Sequence, residues 1–286
     1  MARDSIYLYS PSTALAGVVA AIYFIPMVVL TWQTFFKYRS WFFLCVQIAA
    51  VLEVAGYIAR VVSTKKQSDV PAYAVSSSLI VIAPVFVAAG NYLLIGRLIR
   101  AVLPTSRHRI FLIPARFITR TFVILDILAF NVQVSGTSLA SSVNWVGDLA
   151  ETGTNIIIGG LALQVATFCW FLCIAIRFWW CARREIADDA PAGWIKVMQA
   201  IWISSSLVLL RSVYRLIEFG LGIEGYPFTH EWIFYVFEAL PMLPAIAVFC
   251  FVHPAKYLGN NGHIGKGTRL DESQTELRQD MSRSKA

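Results

Sequence analysis

The sequence predicts an all-α, polytopic membrane protein: a bundle of seven transmembrane helices with the N-terminus outside and the C-terminus in the cytosol. Three observations predict it. Charged residues make up only 14% of the 286 positions and hydrophobic residues 57%, against about 25% charged in an ordinary soluble domain. Seven apolar runs approach the roughly 20 residues that a bilayer core demands. The basic residues between those runs fall almost entirely on one side.

The runs are 14–36, 41–62, 73–95, 117–140, 156–179, 197–219 and 233–252. The first is longer than the core of a signal peptide, and no small-residue cleavage site follows it, so it is expected to stay as a helix. The second carries Glu53 and Arg60, and the third is interrupted by Pro84. The fourth holds Asp126 and Gln133, and the fifth holds Gln164. Arg211, Arg215 and Glu218 lie in the sixth; Glu238, Pro241 and Pro244 lie in the seventh, where the prolines read first as kinks and the pair second as a hinge. Trp32, Trp41, Trp145, Trp194 and Trp232 stand near run ends and read as an interfacial belt.

Lys and Arg set the orientation, because cytosolic loops collect them. Seven spans place the termini on opposite sides. The side of the N-tail and the even-to-odd connections holds 4 basic residues, and the other side holds 18. The chain therefore divides into an extracellular N-tail (1–13), a membrane domain (14–256) and a disordered cytosolic tail (257–286). The basic stretch 97–120 is expected to rest on anionic lipid, its arginines interleaved with Ile, Leu and Phe. A net charge of +7 spread between apolar runs in this way argues against nucleic acid as a partner.

Several chemistries are poorly served. The five cysteines show no zinc spacing and none falls in an outer loop. His108, His230, His253 and His263 are too scattered to converge on one metal, and no Gly-x-Ser-x-Gly elbow occurs. The stretch 262–268 is glycine-rich but has Gly267 where a phosphate loop needs Ser or Thr. No cofactor, metal or enzymatic activity is expected.

Ionisable groups inside spans are costly and mark function by default. Glu53, Gly56, Tyr57 and Arg60 share one helix face by their i, i+3, i+4, i+7 spacing, as do Arg211, Arg215 and Glu218, and as do Asp126 and Gln133. Each face should turn into the bundle, since lipid cannot solvate it. At about 1.5 Å per residue, Glu53 and Asp126 fall near the bilayer midplane. Arg60, Gln133, Gln164, Arg211, Arg215, Glu218 and Glu238 fall in the outer half. Together these residues outline a substrate-binding and translocation cavity. Three arginines neutralise three of the four carboxylates, which leaves one over for a cationic ligand or a proton. Asp126 and Glu53, the deepest, are the candidates.

These motifs resemble the fungal lipid-translocating exporters, also called RTA-like or aminocholesterol-resistance proteins. The stretch 53–60 is similar to the second helix of that family. Ala83-Pro84, Asn91-Tyr92 and Gly96-Arg97 are similar to the third, and Gly159-Gly160-Leu161 with Gln164 to the fifth. The most specific match is 210–218, continuing through Gly225-Tyr226, His230, Glu231, Trp232, Tyr235, Glu238 and His253-Pro254. The chain departs from the pattern at Asn91, where a small residue is common, and at Ser135-Gly136-Thr137, where a glycine run is usual. It also has Leu30 or Thr31 in place of a histidine found in the first helix of some members. The resemblance implies seven helices, fungal origin, and export of amphipathic lipids, including sphingoid long-chain bases, or of toxic amphipaths. Relatives linked to porphyrin or drug handling leave the substrate open. The expected partner is thus a membrane lipid or amphipathic small molecule, and the expected location a membrane, the plasma membrane first. The rival reading is a seven-helix sensor or receptor.

Overall fold

The computed structural model describes residues 11–65, 70–103, 109–110, 113–143, 145–184, 193–222 and 225–258. Seven of its helices are long and apolar enough to cross a membrane: Thr13–Lys37, Trp41–Lys65, Pro71–Val102, Phe117–Ser142, Asp148–Arg184, Trp194–Gly220 and Glu231–Leu258. They are called the first to seventh helices below. The expected tail 257–286, the start of the N-tail and the glycine-rich stretch 262–268 lie mostly or wholly outside the described residues. So does part of the basic stretch 97–120, in which Arg109–Ile110 and Ile113–Pro114 form a two-residue antiparallel pairing.

Polarity is inverted relative to a soluble fold. Phe251, Leu240 and Ile25 point outward, with Phe251 86% exposed, whereas Glu53, Asp126, Arg211 and Glu238 are buried. Outward apolar groups and inward charges suit a hydrocarbon solvent, and the chain is a multi-pass membrane protein.

Each helix packs on its sequence neighbours, and the third lies most deeply, touching the second, fourth, fifth, sixth and seventh. Lipid gives helices no hydrophobic reason to associate, so close backbone approach and interhelical hydrogen bonds hold them. The fourth and fifth helices meet through glycines. A Cβ on Gly153 would sit 2.8 Å from the Ala140 nitrogen and the Gly136 oxygen, and one on Gly160 would sit 3.0 Å from the Ala129 oxygen. The hydrogen bonds stitch most other pairs. Asn91 Nδ2 donates to Ser204 Oγ at 3.1 Å, joining the third and sixth helices. Gln47 Nε2 donates to Thr31 Oγ1 at 2.5 Å, joining the second to the first. Gln33 Nε2 donates to the Cys250 carbonyl at 2.9 Å, joining the first to the seventh. The Ser12 backbone N–H lies 3.0 Å from both oxygens of Glu231 and pins the chain entry to the start of the seventh helix.

The helices run past the predicted apolar limits, most clearly the fifth, and two of them widen locally. Trp32–Lys37 and Tyr235–Ala239 are π-helical turns. The tight link between the first and second helices puts Arg39 at φ 48°, a left-handed conformation that a non-glycine residue adopts at some cost. Trp32, Trp41 and Trp232 are exposed near helix ends, as a belt requires. Trp194 is not: it is buried, with its ring 5.6 Å from that of Trp179 and 6.2 Å from that of Phe178. It therefore acts as a wedge between the fifth and sixth helices, because two aromatic partners offer more contact there than the membrane surface does.

Candidate functional site

The second helix turns Glu53, Gly56, Tyr57 and Arg60 inward as one buried stripe. Gly56 is needed in that stripe for contact: a Cβ there would lie 2.7 Å from Ile80 Cγ1 on the third helix. The sixth helix brings Arg211 and Glu218 to the interior, with Arg215 partly open beside them. The seventh supplies Glu238 from within its π turn, just before Pro241. A π turn rotates its side chains off the regular helical register and often marks a functional site.

These charges form a connected network. Arg211 Nη2 donates to Glu238 Oε1 at 2.6 Å and to the Ile80 carbonyl at 3.1 Å. Arg215 Nη1 donates to Glu218 Oε2 at 2.9 Å and lies 3.8 Å from the second oxygen of Glu238. The Tyr214 hydroxyl donates to Glu218 Oε1 at 3.2 Å. Arg60 stacks its guanidinium over Phe234 at 3.9 Å and lies 5.7 Å from the Tyr235 ring. Arg60 thus meets aromatic faces on the seventh helix.

Glu53 stands apart within this group. It is 1% exposed, and neither carboxylate oxygen has a hydrogen-bond partner among the described residues. The Tyr57 hydroxyl, one turn along, is likewise buried without one. Tyr57 stacks on Tyr23 with centroids 5.4 Å apart, and the Tyr23 hydroxyl donates to the Ala239 carbonyl at 2.5 Å, at the edge of the π turn.

Asp126 belongs to a second group on the third, fourth and fifth helices. Its Oδ2 accepts from the Tyr92 hydroxyl at 2.8 Å, and its Oδ1 lies 3.4 Å from the Thr167 hydroxyl. Tyr92 sits among Phe122, Phe168 and Phe171. Two turns away Gln133 Nε2 donates to Gln164 Oε1 at 2.9 Å. The ten predicted site residues therefore lie in two groups. Glu53, Tyr57, Arg60, Arg211, Arg215, Glu218 and Glu238 cluster on the second, sixth and seventh helices; Asp126, Gln133 and Gln164 cluster on the fourth and fifth. Among the described residues neither Glu53 nor Asp126 is ion-paired to an arginine.

Sequence reasoning missed Tyr23, Tyr92, Thr167 and Tyr214 as site residues. Only Tyr214 had a usable signal, its i, i+4 spacing to Glu218. At the opposite end of the seventh helix from His230, His253 is buried and stacked on Tyr38 with centroids 4.7 Å apart; its Nδ1 accepts from the Ala255 N–H at 3.3 Å. Among the described residues no group of three His, Cys, Asp or Glu side chains is placed to hold a metal.

A family model described as "RTA1 like protein" matches residues 46–261, most of the chain and both polar groups. Protoporphyrin uptake protein 1 of Saccharomyces cerevisiae is 36% identical over 201 residues, which cover 70% of this chain and 64% of that protein. Protein RTM1 of the same species is 34% identical over 219 residues, covering 76% and 67%. The sphingoid long-chain base transporter RSB1 of a Saccharomyces cerevisiae strain is 28% identical over 251 residues, covering 76% and 65%. The chain thus spans less than two thirds of the first of these relatives and about that share of the others. No solved structure matches it.

Proposed function

The chain belongs to the RTA1-like family, and on that premise we propose that it translocates amphipathic molecules across the bilayer, exporting lipids or toxic amphipaths that carry a cationic head. The observation that carries this reading is Glu53, a carboxylate buried midway along a membrane helix with no hydrogen-bond partner on either oxygen among the described residues. A buried charge without a partner is costly, so the site favours a cation that arrives with its own apolar tail. A sphingoid base has that form, with an ammonium head for Glu53 and a chain that stays in lipid. Two relatives named for a sphingoid base and for a porphyrin support a substrate of amphipathic class.

In this reading the N-tail lies outside, and the basic end of the bundle rests on anionic cytosolic lipid. Arg97, with its guanidinium 3.7 Å from the Phe42 ring, and Lys37, 5.5 Å from the Trp32 ring, lie at that end and support the placement. The protein needs no nucleotide site of its own and is not an enzyme. The test is reconstitution of the purified protein in liposomes with a fluorescent sphingoid base in one leaflet. Transfer faster than in protein-free liposomes is expected. Saturable binding without transfer would replace transport by ligand sensing, and transfer of a porphyrin but not of the amine would overturn the cationic head.

A further inference from the structure

Charged and titratable groups from several helices bear on the Glu53 carboxylate. Tyr23 lies on the first helix, Tyr57 and Arg60 on its own, Arg211 on the sixth and Glu238 on the seventh, while the third contributes the Ile80 carbonyl that holds Arg211. Arg211 makes its bonds to Glu238 and Ile80 from Nη2 alone, and its buried Nε has no hydrogen-bond partner among the described residues. The Tyr23 hydroxyl is committed to Ala239. The interior therefore offers Glu53 a cation that is already paired with Glu238 and the unused Tyr57 hydroxyl. A carboxylate so placed is stable when it carries a proton, since the neutral acid removes the cost of an unpaired buried charge.

We infer that Glu53 is an exchange site at which a proton and the cationic head of the amphipath alternate, so that export is driven as proton antiport. The inference deepens the proposed transport reading and rests on it. In the arrangement with Arg211 bonded to Glu238, Glu53 holds the proton. When the site opens, the ammonium head binds as the proton leaves to water: one O–H bond breaks, one ion pair forms, and one positive charge replaces another. If Glu53 becomes ionised without a cation, it competes with Glu238 for Arg211. Glu238 sits in a π turn followed by Pro241 and Pro244, neither of which has a backbone N–H to give to the helix. Loss of Arg211 frees that turn to shift. The proton on Glu53 thus decides which partner Arg211 holds and whether the sixth and seventh helices stay latched.

The experiment uses the full chain in liposomes loaded with a pH dye. The probe is an N-trimethylated sphingoid base, a permanent cation that cannot redistribute by losing its own proton. Added outside, it should alkalinise the lumen, and an acid-inside gradient should drive its accumulation about tenfold per pH unit, the factor for one-to-one exchange at equilibrium. Glu53→Gln should abolish both. Transfer of the probe with no change in lumenal pH, or coupling retained in Glu53→Gln, would overturn the exchange site while leaving transport standing. No transfer under any gradient would instead defeat the transport reading. The proton site is then decided by infrared spectroscopy of the purified wild type. A protonated-carboxyl stretch should be present, lost in Glu53→Gln and shifted in Glu53→Asp. Should Glu53→Gln not fold, the wild-type band and its shift in Glu53→Asp decide alone, and absence of the band overturns the inference.

Discussion

Arg211 and Glu238 meet at 2.6 Å across the sixth and seventh helices, with their side chains only 5% and 1% exposed. Removing one partner strands the other in a medium that cannot solvate it, a loss of about 3–5 kcal/mol for a buried pair. Arg211→Ala and Glu238→Ala should each sharply lower the yield and thermal midpoint of the purified protein. Arg211→Met combined with Glu238→Met should restore much of both, because paired apolar groups leave no charge behind. Equal stability of the singles and the double would show that the pair is solvated and carries little.

The glycines between the fourth and fifth helices make a second prediction. A methyl on Gly153 would meet two backbone atoms at 2.8 Å, and backbone cannot swing aside as a side chain can. Gly153→Ala should cost about 1–3 kcal/mol through overpacking. Gly159→Ala, on the same helix with open space around it, should be silent. Thermal melts of the two variants in the same detergent compare them directly.

Both results bear on how much of this molecule could be read in advance. The seven spans and the inward stripe from Glu53 to Arg60 were legible, because hydrocarbon punishes outward charge and the helical period then fixes a face. The ends were less so. The fifth helix begins at Asp148 and ends at Arg184 rather than covering 156–179, since Asp148, Glu151 and Arg183–184 dilute the apolar signal at the membrane surface while the backbone stays helical. Partners were hardest. Periodicity places Asp126 on a face but cannot say that Tyr92 and Thr167 wait there, since hydroxyls are common in membrane helices. The π turn at Glu238 was invisible, because a change from i→i−4 bonding follows from tertiary fit, with the Tyr23 hydroxyl taking up the Ala239 carbonyl.

Orientation rests on the partition of basic residues and predicts a labelling pattern. A tag after Met281 should be reached by antibody only in permeabilised cells, and a tag at Ser5 in intact cells. Labelling of the C-terminal tag from outside would invert the bundle and place the Glu53 group in the inner half.

The sharpest functional contrast is between the two carboxylates that have no arginine. Asp126 accepts hydrogen bonds from two hydroxyls and ties three helices together. Neither carboxylate oxygen of Glu53 has a hydrogen-bond partner among the described residues. A satisfied carboxylate is a fastener, whereas an unsatisfied one has affinity to spare. Asp126→Asn keeps the shape and one acceptor, so it should lower stability by about 1 kcal/mol, the size of one interhelical hydrogen bond, and leave transport of an amine-bearing lipid nearly intact. Tyr92→Phe should behave alike. Glu53→Gln should do the reverse, preserving or raising the thermal midpoint, since Gln leaves no unpaired charge to bury, and abolishing preference for the amine over its N-acetylated analogue. The measurement is binding of both ligands, by intrinsic tryptophan quenching, to purified wild type, Asp126→Asn, Tyr92→Phe and Glu53→Gln. Wild type should prefer the charged ligand, and the preference should survive in the first two variants and vanish in the third. If it vanishes in Asp126→Asn and persists in Glu53→Gln, the cation site lies among the third, fourth and fifth helices instead, and Glu53 is not the residue that holds the cationic head.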